Sequence, residues 1–236
     1  ALDTNTNNFY LSQYKLDKKQ NPNQNFYNKY QQYLNKQFIP IKSWSQLNLD
    51  SLKQHIFYPF GGPDLLHLLY FFPEAQTYTL MGLEEAGELP EINSSSQNNS
   101  DQLILYNNIS QQIGLNFFRT KEMAKKINNQ SWNGVGAMFI FYLHTHGYKI
   151  NDYYLEKNQS AKYQKLTINF SDQNGNNQKQ LIYYQINLEN SYLKDNLLND
   201  LLREQYDYTM VKAASYLMWE KNFSKIKEVV LTRSRN

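Results

Sequence analysis

The sequence predicts an α/β domain: a central sheet with at least one βαβ unit and helices on both faces. Three observations point there. The apolar run Ile56-Phe57-Tyr58-Pro59-Phe60 meets a Gly61-Gly62-Pro63 turn, then an almost wholly apolar helix pattern from Leu65 to Phe72, then a second strand-like run at 77–83. Further on, 166–170 and 181–186 flank the turn-rich Asp172-Gln173-Asn174-Gly175-Asn176, a hairpin signature. Leu193, Leu197, Leu198, Leu201 and Leu202 then recur at helical spacing. Strand–helix–strand with a parallel crossover makes a Rossmann-like, methyltransferase-resembling topology the specific form expected.

Each element follows in order. The first dozen residues read as a polar tail, and Tyr27, Tyr30, Tyr33 and Leu34 share one side of a helix. Residues 1–36 are expected to form this tail and a helix packed on the domain, with 37–236 as a single α/β domain. Pro40 marks an expected turn, and a short helix is expected near Asp50. Pro59 belongs at a strand's end, because it cannot donate to a ladder. Gly61-Gly62 permits positive φ, Pro63 suits a first helical turn, and Asp64 would cap or charge-stabilise the helix that follows. Leu65, Leu66, Leu68 and Leu69 are expected in the core, and Pro73 ends the helix. Residues 87–100 read as loop, 101–127 and 135–145 as helices, and 149–155 as a strand. The 164–188 hairpin is expected at a sheet edge. The C-terminal stretch from Tyr208 reads as mostly helical, with a break near Asn222.

Composition bounds the function. With 41% hydrophobic and 15% aromatic residues in 236, the chain can bury a large core. The polar excess is Asn, Gln, Tyr and Lys, a bias that reports AT-rich coding more than function. Charge is nearly balanced, 24 basic against 21 acidic residues, and the lysines are scattered, so no basic nucleic-acid face is expected. The absence of cysteine excludes disulfides, thiolate metal sites and cysteine nucleophiles. No apolar run reaches transmembrane length. A chain opening on Ala1 and a polar stretch matches a mature protein after signal-peptide removal, so an exported, soluble bacterial protein, periplasmic or secreted, is expected.

Candidate chemistry centres on the 58–64 turn. A glycine turn at a helix start is an anion site, and an acid at the end of the second strand can hold a ribose hydroxyl. Tyr58, Gly61, Gly62 and Asp64, with Glu84 or Glu85, would form such a ligand site. Against a phosphate, the third glycine of the dinucleotide fingerprint is missing, Pro63 has no N–H, and Asp64 is negative. S-adenosylmethionine has no phosphate and escapes that objection. The alternative is a tight core turn with Asp64 as helix cap. His144 and His146 could join Asp64, His67 or Glu84 around a metal; the alternative is a hydrogen-bonded His67 and a plain turn at 144–147. Ser215 lies outside any nucleophile elbow, and Lys212 with Tyr216 is a helical spacing that recurs in some oxidoreductases. Catalytic residues are not identified by these patterns.

At Tyr58-Pro59-Phe60-Gly61-Gly62-Pro63-Asp64, with Phe71-Phe72-Pro73, Gly82-Leu83-Glu84 and Lys212-Ala213-Ala214-Ser215-Tyr216-Leu217-Met218, the chain resembles a group of uncharacterised bacterial proteins. They share a Tyr-Pro-Phe-x-Gly-Pro-Asp turn, a Phe-Phe-Pro, a Gly-Leu-Glu and a Lys-x-x-Ser-Tyr-Leu stretch, over roughly 56–234. The resemblance implies an exported protein with no established activity. It also implies a further C-terminal strand segment beyond Asn236. Two functions are therefore expected to compete. One is a domain binding an unidentified small molecule or protein, with no cofactor. The other is a methyltransferase-like transferase using S-adenosylmethionine, the 58–64 turn and Glu84.

Overall fold

The computed structural model describes residues 22–49, 54–87, 134–158 and 162–235. The expected N-terminal tail, the helix start at Asp50, most of the 87–100 loop and the 101–127 helix lie outside these residues.

The chain forms an α/β fold on one six-stranded mixed sheet. Its strands are β1 (His55–Tyr58), β2 (Thr77–Gly82), β3 (Lys149–Asn158), β4 (Tyr163–Ser171), β5 (Lys179–Gln185) and β6 (Tyr208–Thr209), in the order β3-β4-β5-β2-β1-β6. β6, β1, β2 and β5 run parallel, while β3, β4 and β5 form an antiparallel meander.

β1 reads as continuously apolar because both of its faces are covered. Ile56 and Tyr58 enter a core with Tyr78, Leu80 and Phe139; Phe57 enters another with Met81, Leu197, Leu201, Ile226 and Val229. Helices supply both covers. On the first face lie α1 (Pro22–Tyr33), a π-helical turn (Leu34–Phe38), α2 (Ile39–Asn48), α3 (Leu65–Phe71) and α4 (Gly136–Thr145). On the second lie α5 (Asp195–Arg203) and α6 (Ser224–Arg233). β1, α3 and β2 form the expected βαβ unit, with Ile56 opposite Tyr78 and Tyr58 opposite Leu80. Leu65, Leu66, Leu68 and Leu69 are all buried. Among the described residues, no helix is long and apolar enough to cross a membrane.

Three expectations are corrected. Pro40 does not turn the chain: it sits in the first turn of α2, where its missing N–H costs little, and the Ile39 N–H reaches back to the Leu34 carbonyl. The 164–188 hairpin is not at an edge. β5 sends Leu181 and Tyr183 into one core and Tyr184 into the other, so it belongs inside the sheet against β2. The edge goes to β3, whose charged Lys149, Asp152, Glu156 and Lys157 suit a solvated border. Finally, the stretch from Tyr208 is not uniformly helical. β6 pairs with β1, the Asp207 carboxylate anchors its start by accepting the Gln54 and His55 N–H groups at 2.8 and 3.0 Å, and Ala213–Trp219 is a 3-10 helix.

Candidate functional site: a crevice at the strand ends

β1 ends at Tyr58, and the turn after it is held by its own backbone. The Gly61 N–H donates to the Tyr58 carbonyl at 3.2 Å and the Gly62 N–H to the Met81 carbonyl at 2.9 Å. The Asp64 N–H donates to Gly61 at 3.1 Å and the Leu65 N–H to Pro63 at 2.9 Å. Pro63 has none to give. Every backbone donor from 61 to 65 is therefore spent, so the turn itself offers a phosphate no N–H.

Gly62 and Gly82 bring the ends of β1 and β2 together. Gly62 has a φ of +51°, and a methyl placed on Gly82 would lie 2.5 Å from the Gly62 Cα. Over this contact lies the Glu84 carboxylate, 3% exposed, with Oε2 only 3.0 Å from where a Gly62 methyl would sit. The Tyr183 hydroxyl donates to the Glu84 carbonyl at 2.7 Å and fixes that end of β2.

Asp64 occupies the N-cap position of α3, yet its side chain makes no capping hydrogen bond. The capping expectation fails because stronger donors take the carboxylate. Lys212 Nζ donates to Oδ2 at 2.7 Å and the Tyr58 hydroxyl to the same oxygen at 3.2 Å, while His67 Nδ1 bonds Oδ1. A charge-assisted bond outweighs a neutral cap. At 4% exposed, Asp64 thus joins the turn, α3 and the segment after β6. Burial, reinforced by the Asp64 charge and hydrogen bond, raises the Tyr58 phenol well beyond its ordinary range, so Tyr58 acts only as a neutral donor.

Asp64→Asn is expected to cost about 2 kcal/mol, the scale of charge-assisted hydrogen bonds in a buried site. Lys212→Met is expected to cost about 1 kcal/mol or less, because that ammonium is partly solvated. Urea unfolding of both single variants and the double variant checks this. Strict additivity would show that the two groups do not act as a pair.

These segments enclose a crevice of about 610 Å³. Its walls come from the carboxyl ends of all four parallel strands: 58–64 after β1, 81–84 from β2, 186–189 after β5, and Lys212, Ala214, Leu217 and Phe223 beyond β6. A volume between roughly 300 and 1,000 Å³ suits a small organic molecule.

Tyr58, Gly61, Gly62, Asp64 and Glu84, the residues singled out in the sequence, all line this crevice. Glu85 is exposed and does not. Lys212 lines it, whereas Tyr216, its helical partner by spacing, is 66% exposed. The Ser215 hydroxyl bonds the Lys212 carbonyl at 2.5 Å, a local turn contact. Sequence reasoning missed 186–189, Leu217 and Phe223, and it missed the Lys212–Asp64 pair. Residues of the 58–64, 82–84 and 212–218 stretches, each singled out in the sequence, meet in this lining.

His144 and His146 line no part of the crevice, and among the described residues no three His, Asp or Glu side chains converge as a metal site would require. His146 Nδ1 donates to the Tyr142 carbonyl at 2.7 Å, and its ring stands edge-on to Tyr70 with centroids 5.0 Å apart. Although the residue is half-buried, its Nε2 is closed off from solvent. Burial lowers its pKa from 6.5 to about 4, and burial also lowers His144 and His55. Between those values the unfolded chain binds the extra proton. Stability from His146 is therefore complete above pH 6.5 and falls as the pH drops towards about 4. We expect a loss of about 2 kcal/mol from His146 between pH 6.5 and about 5. Urea unfolding across that range checks it: the wild type should lose more stability than His146→Gln.

No protein-family model matches this sequence, and no curated protein or solved structure matches it.

Proposed function

We propose that this chain is a ligand-binding α/β domain that holds a small organic molecule in the crevice above β6, β1, β2 and β5. One observation carries the reading. Four segments distant in sequence converge at the carboxyl ends of parallel strands and leave an open volume with Asp64 and Glu84 in its walls. Open α/β sheets bind ligands at that end. The resemblance of the 58–64, 82–84 and 212–218 motifs supports an exported setting.

A second reading, a transferase of Rossmann-like, methyltransferase-like type, is favoured by a specific point. The spent turn donors and the acidic wall oppose a phosphate, but S-adenosylmethionine carries none. Glu84, just past the end of β2, stands where an acceptor for ribose hydroxyls belongs.

A thermal-shift screen with S-adenosylmethionine, nucleotides, sugars, amines and divalent metals tests both readings. A crevice ligand should raise the melting point of the wild type and not of Leu217→Trp, which fills the volume. If no compound gives a shift that Leu217→Trp abolishes, the crevice is not a binding site. A shift confined to S-adenosylmethionine would select the transferase.

A further inference from the structure

Lys212 brings an amine to the wall of the crevice, and groups that can take up its proton surround it. Its side chain is 40% exposed, and Nζ lies 2.7 Å from Oδ2 of the buried Asp64 carboxylate. The same nitrogen lies 3.4 Å from each ring nitrogen of His67. Paired with an ammonium, the carboxylate only accepts, so the His67 Nδ1 that bonds Asp64 Oδ1 carries the hydrogen. The neutral ring then keeps its lone pair at Nε2. Lys212 thus has two proton acceptors beside it, Asp64 Oδ2 and His67 Nε2, and the Tyr58 hydroxyl steadies the first by donating to it at 3.2 Å. Lysines elsewhere are spent differently. Lys179 Nζ is committed to the carbonyls of Pro73 and Ala75, and Lys225 Nζ to that of Leu193.

From this we infer that the crevice takes a carbonyl compound, an aldehyde or ketone on an apolar body, and that Lys212 captures it as an imine. The inference rests on the crevice being a binding site. The step balances within the cluster. The Lys212 ammonium passes one proton to Asp64 or His67, and the neutral Nζ attacks the carbonyl carbon. A C–N bond forms as the C=O π bond opens, and the oxygen takes up the released proton. A second nitrogen proton follows the same path, the C–O bond breaks, and the oxygen leaves as water while the nitrogen lone pair closes the C=N bond. The two hydrogens lost from nitrogen depart on that water. The iminium keeps the positive charge that the ammonium brought, so Asp64 faces a cation at the start and at the end. No oxidant or reductant is needed. Phe60, Leu217 and Phe223 in the wall offer contact to the apolar body of the carbonyl compound.

An ion pair that only fastened the segment after β6 would leave Lys212 no more reactive than a surface lysine. The full chain is therefore treated with butanal or hydrocinnamaldehyde and sodium cyanoborohydride, which reduces an imine to a stable secondary amine, and the labelled lysines are mapped by mass spectrometry. Lys212 should be labelled on the order of a hundredfold faster than exposed lysines such as Lys149 and Lys221, the low end of what positioned acid–base groups contribute. Leu217→Trp, which fills the volume, should remove that advantage. Hydrocinnamyl alcohol, of the same shape without the carbonyl, should slow labelling at Lys212 and leave Lys149 and Lys221 unchanged; it decides alone should Leu217→Trp fail to fold. Labelling of Lys212 no faster than the exposed lysines with both aldehydes would overturn the capture. Fast labelling that persists in folded Leu217→Trp would overturn it too, because the reactivity would then owe nothing to the crevice. The crevice as a site for non-covalent ligands is judged separately, by the thermal-shift screen.

Discussion

Phe57→Ala is expected to lower the unfolding free energy by about 3–5 kcal/mol, the range for removing a buried aromatic side chain. Phe57 is the apolar residue by which β1 enters the second core. It is fully buried, and its ring stacks on Tyr206 with centroids 4.3 Å apart and planes 15° from parallel. Tyr206 is itself tied to the end of α6, because its N–H donates to the Arg233 carbonyl at 2.8 Å. Truncation would therefore leave a void beneath α5 and α6 and remove the face that Tyr206 covers. Some of the cost is aromatic stacking, about 0.5–1.5 kcal/mol, and the rest is lost burial plus the unfilled cavity. Urea unfolding measures it. A cost below about 1 kcal/mol would mean that the second face of the sheet is loosely covered and that the cores are not equivalent partners.

How far the fold was legible depended on the length of each pattern. The apolar block at 65–69, the 77–82 strand and the hairpin around Gly175 were readable because each repeats its period several times or carries explicit turn chemistry. β6 was not, since Tyr208–Thr209 has only two residues and no period to show. The place of β5 inside the sheet was present in its residues, apolar on both faces, but an antiparallel hairpin more often suggests a border. For the site, single-segment features were legible. Glycines after a strand, an acid after the next strand and an aspartate at a helix start all pointed to 58–64 and Glu84. What joins them was not. Lys212 reaches Asp64 across 148 positions, and no local pattern names the partner of a lysine. That same bond overturned the capping role assigned to Asp64. A position can be read from sequence, but the competition between donors for one carboxylate is decided only when distant segments are folded together.

Gly82→Ala is expected to destabilise the protein by about 3 kcal/mol, at the upper end for overpacking a filled site, and to deform the crevice as it does so. The added methyl would meet the Gly62 Cα at 2.5 Å, Glu84 Oε2 at 2.7 Å and the Tyr183 hydroxyl at 2.9 Å. The Glu84 carboxylate, at the end of a flexible side chain, can shift, but Gly62 and Tyr183 cannot yield cheaply. Gly62 is fastened to β2 by its N–H bond to Met81, its φ of +51° leaves few alternative backbone paths, and the Tyr183 hydroxyl is engaged with the Glu84 carbonyl. Gly82 cannot retreat either, because its own carbonyl accepts the Ile186 N–H at 2.7 Å and so belongs to the ladder with β5. The strain must then push Gly62 and the Glu84 carboxylate into the crevice. Gly175→Ala separates this from ordinary glycine effects: its φ of +78° is unfavourable for alanine, but nothing lies within 4 Å of the new methyl, so about 1 kcal/mol is expected. Thermal and urea unfolding rank the two variants, and any compound of the thermal-shift screen that stabilises the wild type serves as the probe of the crevice on the folded fraction. Gly82→Ala should lose probe binding even where it folds, whereas Gly175→Ala should keep it. Equal costs for both, with binding intact, would show that the close approach of Gly62 and Gly82 does not shape the crevice, and that Glu84 is held there by other contacts.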